Sequence, residues 1–260
     1  MIVRAIDGKL LLVRQTDHQV LAGQLAEAWG NGQFARPEPY APIVRAAYEH
    51  DNGWFDWETA PKIDPATGRP YQFTDVPVED HLAFYRRGID ELADRDPHAG
   101  LLVNLHCQGF HNQRFGTMPE AVMKSHPPEK ETAVKRFVTS LQAQTRELGR
   151  LISVDLPTLW GQYELLQVFD RMSLYLCMPP LKHAELGPVP VRPGGKMLAL
   201  RLTPAEYIVR IDPWPFREQS VAASVPGRRV PDRRYANDDE FRNELNRAEA
   251  VTLTYALGAL

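Results

Sequence analysis

The sequence has little cysteine and no strong excess of either charge. Its 260 residues include two cysteines, Cys107 and Cys177, which are too few and too far apart for a disulfide framework or a zinc ribbon. We expect each to be a small buried residue of an apolar helix, in a reducing compartment. The formal net charge of −3 gives no general attraction to nucleic acid or to an anionic membrane.

Long apolar runs are also lacking. No stretch approaches the roughly 20 apolar residues that a membrane span needs. The first eight residues have neither the apolar segment nor the small-residue cleavage site of a secretion signal. We therefore expect a cytoplasmic protein with no membrane or nucleic-acid partner. Hydrophobic residues at 43% and charged residues at 24% are ordinary globular values, so disordered and fibrous classes are excluded.

The first part of the chain reads as a β-hairpin followed by helices. Asp7-Gly8 is a turn dipeptide between two apolar runs, which predicts a hairpin over residues 2–14. Thr16 or Asp17 then caps a helix that runs to about Trp29. Further helices are predicted at about 43–50, 79–95, 99–110, 130–151 and 155–178, the last with Asp155 as its cap.

The sequence pattern changes from helical to strand-like after residue 180. Residues 196–201, 207–211 and 251–256 look like strands, and many prolines punctuate the segments between them. We predict an α+β fold that is mainly α, with a small antiparallel sheet formed by residues 195–258 and the hairpin at 2–14. The helical core covers about 15–180, and the whole chain, 1–260, is predicted to be a single domain.

Several polar groups fall on the apolar faces of predicted helices. Residues three, four and seven apart share a helix face, and by that rule His18 lies with Leu21, Ala22 and Leu25. The same reasoning applies to groups on four other helices, namely His50, His81, His106 and Asp170. A buried imidazole or carboxylate must find a partner, because burial alone costs several kcal/mol, roughly 2–7 for a neutral group.

The simplest alternative for each of these histidines is a core residue that is hydrogen-bonded to a backbone carbonyl. Asp170 is harder to explain in that way, since a buried carboxylate needs a cation or several donors. Because the adjacent pair His50-Asp51 joins the set, we favour a shared metal ion. Imidazole and carboxylate ligands suit Mn, Fe, Co, Ni or Zn.

The order of these residues resembles that of a known superfamily. His18, His50-Asp51 and Asp170 are similar to the H…HD…D pattern of the HD-domain metal-dependent phosphohydrolases, and His50-Asp51-Asn52-Gly53 looks like their HD-x-G motif. The resemblance covers about residues 17–178 and implies an HD-like helical core whose ligands come from separate helices. Members with two metals carry two further histidines, and His81 and His106 fall in the corresponding interval.

This resemblance implies one or two divalent transition-metal ions. One ion would be held by His18, His50, Asp51 and Asp170, and Asp51 could bridge to a second ion held by His81 and His106. The implied activity is hydrolysis of a small phosphoester, such as a nucleotide, by metal-activated water, with Asp51 and His106 as the catalytic residues.

Recognition of the substrate is less well marked in the sequence. Lys62, Arg69 and Arg114 are candidate phosphate-binding cations, although each could equally be an exposed charge. Trp54 stands where many HD-domain members have a lysine near the substrate phosphate, and it is a further candidate substrate contact. Trp57 and Tyr71 could stack on a base or simply anchor a loop.

Two other functions remain open at this stage. Some HD-like relatives use a similar ligand set to activate O₂ at a di-iron centre. The chain could also be a non-catalytic binding protein with a degenerate metal pocket. The whole chain resembles a bacterial family of unknown function, DUF3891, through stretches such as Gln15-Thr16-Asp17-His18 and His50-Asp51-Asn52-Gly53-Trp54. That second resemblance implies no activity.

Overall fold

The fold is that of a computed structural model, which describes residues 1–111, 126–206 and 208–260. About half of the chain is helix and about a quarter is strand. The chain begins with the predicted hairpin, strands β1 (Ile2–Ile6) and β2 (Lys9–Val13). Asp7 and Gly8 at its turn have φ values of 50° and 74°, as a two-residue hairpin turn of the favoured hand requires.

Helix α1 (Gln15–Ala28) follows, and its start differs from the prediction. Neither Thr16 nor Asp17 caps it, because the helix begins at Gln15 and both residues lie within its first turn, where the Asp17 carboxylate bonds to the Arg14 guanidinium at 2.7 Å. Glu58, distant in sequence, supplies the cap instead. Its carboxylate accepts hydrogen bonds from the backbone N–H groups of Gln15 at 2.6 Å and Thr16 at 3.1 Å, so a tertiary contact satisfies donors that a local cap would otherwise take.

The other predicted helices are confirmed to within a few residues. Asp155 caps the helix Leu156–Leu176 by accepting from the Thr158 N–H at 2.9 Å, as expected. Two helices were not predicted, Phe55–Thr59 and Asp238–Arg247. The helices after α1 are α2 (Tyr40–Glu49), α3 (Phe55–Thr59), α4 (Val78–Arg95), α5 (Pro97–His111), α6 (Glu131–Ile152), α7 (Leu156–Leu176) and α8 (Asp238–Arg247).

The prediction of a mainly helical fold with a small antiparallel sheet is wrong. The strands after β2 are β3 (Ile63–Asp64), β4 (Arg69–Pro70), β5 (Ala184–Pro190), β6 (Met197–Pro204), β7 (Ile208–Asp212), β8 (Ser220–Pro231) and β9 (Glu249–Ala259). The described residues contain a seven-stranded sheet with the order β1-β2-β8-β9-β7-β6-β5, and its β7·β9 pair is parallel. Strands β3 and β4 form a short hairpin apart from this sheet.

Prolines within strands explain why β5 and β8 escaped prediction. Proline cannot donate to a ladder, so strands that contain it usually lie at an edge, and β5 is the last strand of the sheet. β8 lies inside the sheet, but β2 pairs only with its residues 228–231. Pro226 therefore has a strand neighbour on one side only, where it is paired with Thr252 of β9.

Helices α1 and α7 join the sheet to the rest of the helices. α1 packs on β8 and α7 packs on β5, while both also contact α2. A large cluster of buried apolar side chains runs through these layers. None of the described helices has the combination of length and apolar character that a membrane crossing would require. Because α7 is buried on nearly every side, its polar residues are held inside the protein.

Candidate metal centre

Four helices bring five ionisable side chains to one buried place. α1 supplies His18, the end of α2 supplies His50 and Asp51, α5 supplies His106 and α7 supplies Asp170. Their exposed fractions lie between 1% and 4%. Ionisable groups are rarely buried to this extent unless they are paired or bind a cation.

The backbone around the His-Asp pair makes a sharp turn. His50 ends α2 in a helical conformation, Asp51 has φ −115° and ψ 18°, and a single 3-10 turn follows over residues 52–54. Gly53 lets this turn lie directly on α4, since a Cβ atom there would fall 2.0 Å from the Phe84 carbonyl oxygen. The small residue in the His-Asp-Asn-Gly stretch is therefore explained by close backbone packing.

Both histidines nearest the centre of the cluster present the same ring nitrogen to it. The Ser173 hydroxyl donates to the Asp170 carbonyl at 2.8 Å, so its oxygen accepts the Nδ1 hydrogen of His18 at 2.7 Å. The Nδ1 hydrogen of His50 goes to the Ala47 carbonyl at 3.0 Å. We assign these tautomers from the hydrogen-bond network. With each Nδ1 protonated, both Nε2 lone pairs are turned towards the cluster.

The inward-facing atoms lie at distances that suit one coordination sphere. The two Nε2 atoms are 3.1 Å apart, and each lies 3.4 Å from Asp170 Oδ1. Asp51 Oδ2 lies 3.3 Å from Nε2 of His18 and 3.7 Å from Nε2 of His50. Metal–ligand bonds of about 2.1 Å place neighbouring ligand atoms roughly 3.0–3.4 Å apart in octahedral or tetrahedral geometry. The spacings between the two imidazoles and each carboxylate therefore suit a shared divalent ion.

Asp51 is held by three hydrogen bonds with residues of two helices: it accepts two of them and donates the third. Tyr85 of α4 donates its hydroxyl to Oδ1 at 2.6 Å, and Gln15 of α1 donates its amide to Oδ2 at 2.9 Å. The backbone N–H of Asp51 donates to Gln19 Oε1 at 2.7 Å. Such outer contacts fix the orientation of a ligand and raise its affinity for a metal.

The charges of the cluster depend on one another. Burial alone would lower the pKa of His50, but Asp51 and Asp170 together raise it to about 9. Burial likewise opposes ionisation of Asp51, yet His50, His18 and the Tyr85 hydroxyl hold its pKa below the usual range. Asp170 follows the same pattern, since its bond to His50 outweighs burial. A metal-free cluster at neutral pH thus has two carboxylates and at least one imidazolium.

His106 completes the cluster from the α5 side. His50, His106 and Asp170 can each offer one ligand atom so that all three atoms lie within 4.8 Å of one another, and His18, His50 and Asp51 form a second such group. Burial, with a contribution from His50, lowers the pKa of His106 to about 4. The imidazole is therefore neutral at pH 7, which suits a metal ligand better than a general base.

His81 is buried but lies among aromatic rings. Its ring centroid is 4.8 Å from Tyr85, 5.8 Å from Trp54 and 5.9 Å from His111. It belongs to neither of the two possible ligand groups found among the described residues. The expected second ion, bridged by Asp51 and held by His81 and His106, therefore stays a prediction, whereas His106 lies beside the ligands of the first ion.

Three of the four predicted substrate residues lie in the described part of the chain, and each has partners outside the metal cluster. Trp54 is 1% exposed and packs on Phe84. The Lys62 ammonium lies 4.9 Å over the Trp57 ring, in a surface cavity of about 1060 Å³ that Tyr71 also lines. Arg69 pairs with Asp232 at 2.6 Å. Arg114 lies outside the described residues.

Several residues of the site were missed as functional candidates. Gln15 lies three residues before His18 and four before Gln19, so the signal was a polar stripe on the buried face of α1. Tyr85 and Ser173 were visible only as members of helix faces. Arg171, next to Asp170, is 8% exposed; burial lowers its pKa to about 10 although Asp170 raises it, so it remains a cation at neutral pH.

Comparison with known proteins gives a family without an activity. Residues 1–232 match the model of one family, described as a protein of unknown function (DUF3891). No curated protein and no solved structure matches the chain. The matched range contains every residue of the cluster and ends before α8.

Proposed function

Because the chain belongs to DUF3891, a family of proteins of unknown function, we propose its activity from the buried cluster: it is a metal-dependent hydrolase that acts on a small phosphoester. The observation that carries this proposal is that two imidazole Nε2 atoms lie 3.1 Å apart, and that each lies 3.3–3.7 Å from an oxygen of Asp51 and an oxygen of Asp170. Nitrogen and oxygen donors in this mixture select Mn, Fe, Co, Ni or Zn.

The proposed ligands are His18, His50, Asp51 and Asp170, with His106 as a further candidate. Two possible ligand groups support this set, one of His18, His50 and Asp51 and one of His50, His106 and Asp170, and His50 belongs to both. When bound, a divalent cation lowers the pKa of coordinated water and polarises a phosphoryl oxygen, which is the chemistry that phosphoester hydrolysis needs. The order of these ligands along the chain resembles that of the HD-domain phosphohydrolases, and this resemblance supports hydrolysis as the reaction.

Hydrogen bonds from other residues orient the side chains of this site. The hydroxyl of Ser173 and the carbonyl of Ala47 fix the imidazoles, while Tyr85 and Gln15 fix Asp51. Burial excludes bulk water, so charges at the site act strongly on one another. Arg171 contributes a largely buried positive charge beside Asp170, and this charge favours an anionic substrate such as a phosphoester.

Metal analysis with an activity assay tests the proposal. We expect the purified protein to contain about one equivalent of a transition metal or to take it up after chelation, and to hydrolyse p-nitrophenyl phosphate or a nucleoside monophosphate only when loaded. Asp170→Asn should lose both metal and activity, whereas His183→Ala, at an exposed position, should keep both. Stoichiometric metal without any phosphoester hydrolysis would contradict the reaction but not the metal centre.

The mixed ligand set also suits iron, so O₂ activation is the second candidate. His and carboxylate ligands are shared by non-haem iron oxygenases. Aerobic purification with iron, followed by visible absorption and an oxygen-consumption assay, separates the two functions. Iron-dependent O₂ uptake in the absence of phosphoester hydrolysis would favour the oxygenase.

A further inference from the structure

The side-chain amide of Gln15 lies against Asp51, and its nitrogen and its oxygen differ in their hydrogen bonding. Its Nε2 donates to Asp51 Oδ2 at 2.9 Å, and the residue is 3% exposed. In the parts of the chain that the structure describes, its Oε1 has no hydrogen-bond partner. A buried carbonyl oxygen nearly always has a donor in a native protein, so this oxygen is available to a donor that binds beside Asp51.

The orientation of this amide is fixed by its neighbour. Asp51 Oδ2 is an ionised carboxylate oxygen and can only accept, so the NH₂ group must face it and the carbonyl must point elsewhere. The two polar atoms of an amide are roughly 2.2 Å apart, which places Oε1 within about 5 Å of Asp51 Oδ2. That carboxylate oxygen is the one that faces the Nε2 atoms of His18 and His50.

We propose that Gln15 is a positioning residue whose carbonyl oxygen accepts a hydrogen bond from a water molecule held at the metal centre. This inference rests on the proposed metal centre and adds the group that orients the water. A cation makes its coordinated water a strong donor, and a buried acceptor without a partner is the group such a donor needs. The water is then held from two sides, by the cation and by Gln15.

One alternative is that Gln15 merely supports Asp51. In that case only the hydrogen bond from the amide N–H to Asp51 affects the site, and the carbonyl oxygen does not contact the water. Two substitutions separate these roles. Gln15→Met keeps a side chain of similar length but has neither donor nor acceptor, whereas Gln15→Glu keeps an acceptor and loses the donor to Asp51.

The measurement is the residence time of water in the manganese-loaded full chain, from ¹⁷O relaxation of the solvent. We expect Gln15→Met to shorten the residence time about tenfold, since one hydrogen bond of ordinary strength is lost, and Gln15→Glu to keep it near the wild-type value. Gln162→Met is the matched control, because this glutamine is equally buried but bonds to His98 and to the Glu38 carbonyl. It should leave the residence time unchanged.

The results distinguish failure of this inference from failure of the metal centre. A wild-type residence time in Gln15→Met, or an equally short one in Gln15→Glu and Gln15→Met, would overturn the role of the carbonyl oxygen. If Gln15→Met does not fold, Gln15→Asn withdraws the carbonyl by one methylene and carries the same expectation. A wild-type protein that takes up no manganese or other transition metal would instead refute the metal centre itself.

Discussion

The Nε2 atoms of His18 and His50 lie 3.1 Å apart in the protein interior, and the Nδ1 hydrogen of each ring is donated to another group. Two lone pairs facing each other at this distance repel unless a positive charge lies between or beside them. A proton can supply that charge, and so can a metal ion shared with Asp51 and Asp170. Proton and metal are therefore expected to compete for the same place.

Metal binding should stabilise the fold in a way that depends on Asp170. A ligand that binds only the native state at about 100 times its Kd adds about 2.7 kcal/mol to the free energy of unfolding. We expect this gain for the wild-type protein in urea titrations with and without metal. Asp170→Asn should lose most of it, because one anionic ligand becomes a neutral amide.

The control for this prediction is His98→Gln. His98 bonds to Gln162 at 2.7 Å and lies outside the cluster, so its replacement should leave the metal-dependent gain intact. Equal stabilisation of the wild type and Asp170→Asn would mean that the metal binds elsewhere.

Metal affinity should rise with pH between 7 and 9. The pKa of His50 is raised from 6.5 to about 9 in the metal-free protein, where burial is outweighed by Asp51 and Asp170. At pH 7 the metal must therefore displace about one proton, and affinity should increase about tenfold for each pH unit up to 9. Calorimetry in buffers of different ionisation enthalpy counts this proton. An affinity that does not change over this range would contradict the prediction.

The same raised pKa has the opposite effect on the metal-free fold. A group whose pKa is higher in the folded state contributes stability that is complete below its unfolded value and is lost as pH rises through the folded value. The contribution of His50 should thus be complete below pH 6.5 and disappear by about pH 9. Urea unfolding of chelated protein across this interval measures it, and a stability that rose with pH would contradict it.

The helices were predictable because their apolar periodicity is local, whereas the sheet depends on long-range pairing. β8 pairs with β2 at one end and with β9 along its length, and its prolines made it look like a connection. The parallel pair joins β7 to β9, which are separated in sequence by β8 and α8, and no local sequence pattern predicts this pairing. The small antiparallel sheet expected from the sequence was therefore too small, and it lacked the parallel β7·β9 pair.

The candidate site was predictable in part, for a related reason. Histidine and aspartate on apolar stripes mark a buried polar cluster, and His18, His50, Asp51 and Asp170 do lie together. A tyrosine on a helix face is common in any protein, so the sequence does not identify Tyr85 as a hydrogen-bond donor to Asp51. Both His81 and His106 were predicted as ligands; whether each reaches the cluster depends on how α4 and α5 rotate about their axes, and helical spacing alone does not give that rotation.

Tyr85→Phe should weaken metal binding with little effect on the fold. The change removes the 2.6 Å hydrogen bond to Asp51 Oδ1 while it keeps the ring in place. Loss of an outer-sphere bond of this kind typically lowers metal affinity about 10- to 100-fold. The matched control is Tyr235→Phe, which removes a 2.9 Å hydrogen bond to the Pro231 carbonyl. Equal metal affinities for the two variants would show that the Tyr85 hydroxyl does not hold the ligand.

Glu58→Gln should destabilise α1 and, through it, the metal centre. The carboxylate accepts hydrogen bonds from the Gln15 and Thr16 N–H groups and from the Thr16 hydroxyl, and its negative charge favours a helix N-terminus. We expect a loss of about 1–3 kcal/mol, typical of a buried charged bond, together with weaker metal binding because His18 lies on the same helix.

An equivalent cap elsewhere provides the comparison for Glu58. Asn237 accepts from the Glu240 N–H at 2.9 Å and caps α8, so Asn237→Ala should lower stability by about 1 kcal/mol while metal affinity stays constant. If both variants left metal affinity untouched, the cap on α1 would have only a structural role.

Gly53→Ala should separate the His-Asp turn from α4, since the added Cβ atom would meet the Phe84 carbonyl oxygen at 2.0 Å and backbone must shift. Overpacking of this kind costs about 1–3 kcal/mol, and metal affinity should fall as well, because Asp51 and Tyr85 approach each other across this contact. Gly149→Ala on α6 is the opposite case: a Cβ atom there meets nothing within 4 Å, so the change should stabilise the protein by about 0.5–1 kcal/mol. Chemical unfolding and metal titration of both variants check the pair. A Gly53→Ala protein with unchanged stability and affinity would mean that the turn does not need its close approach to α4.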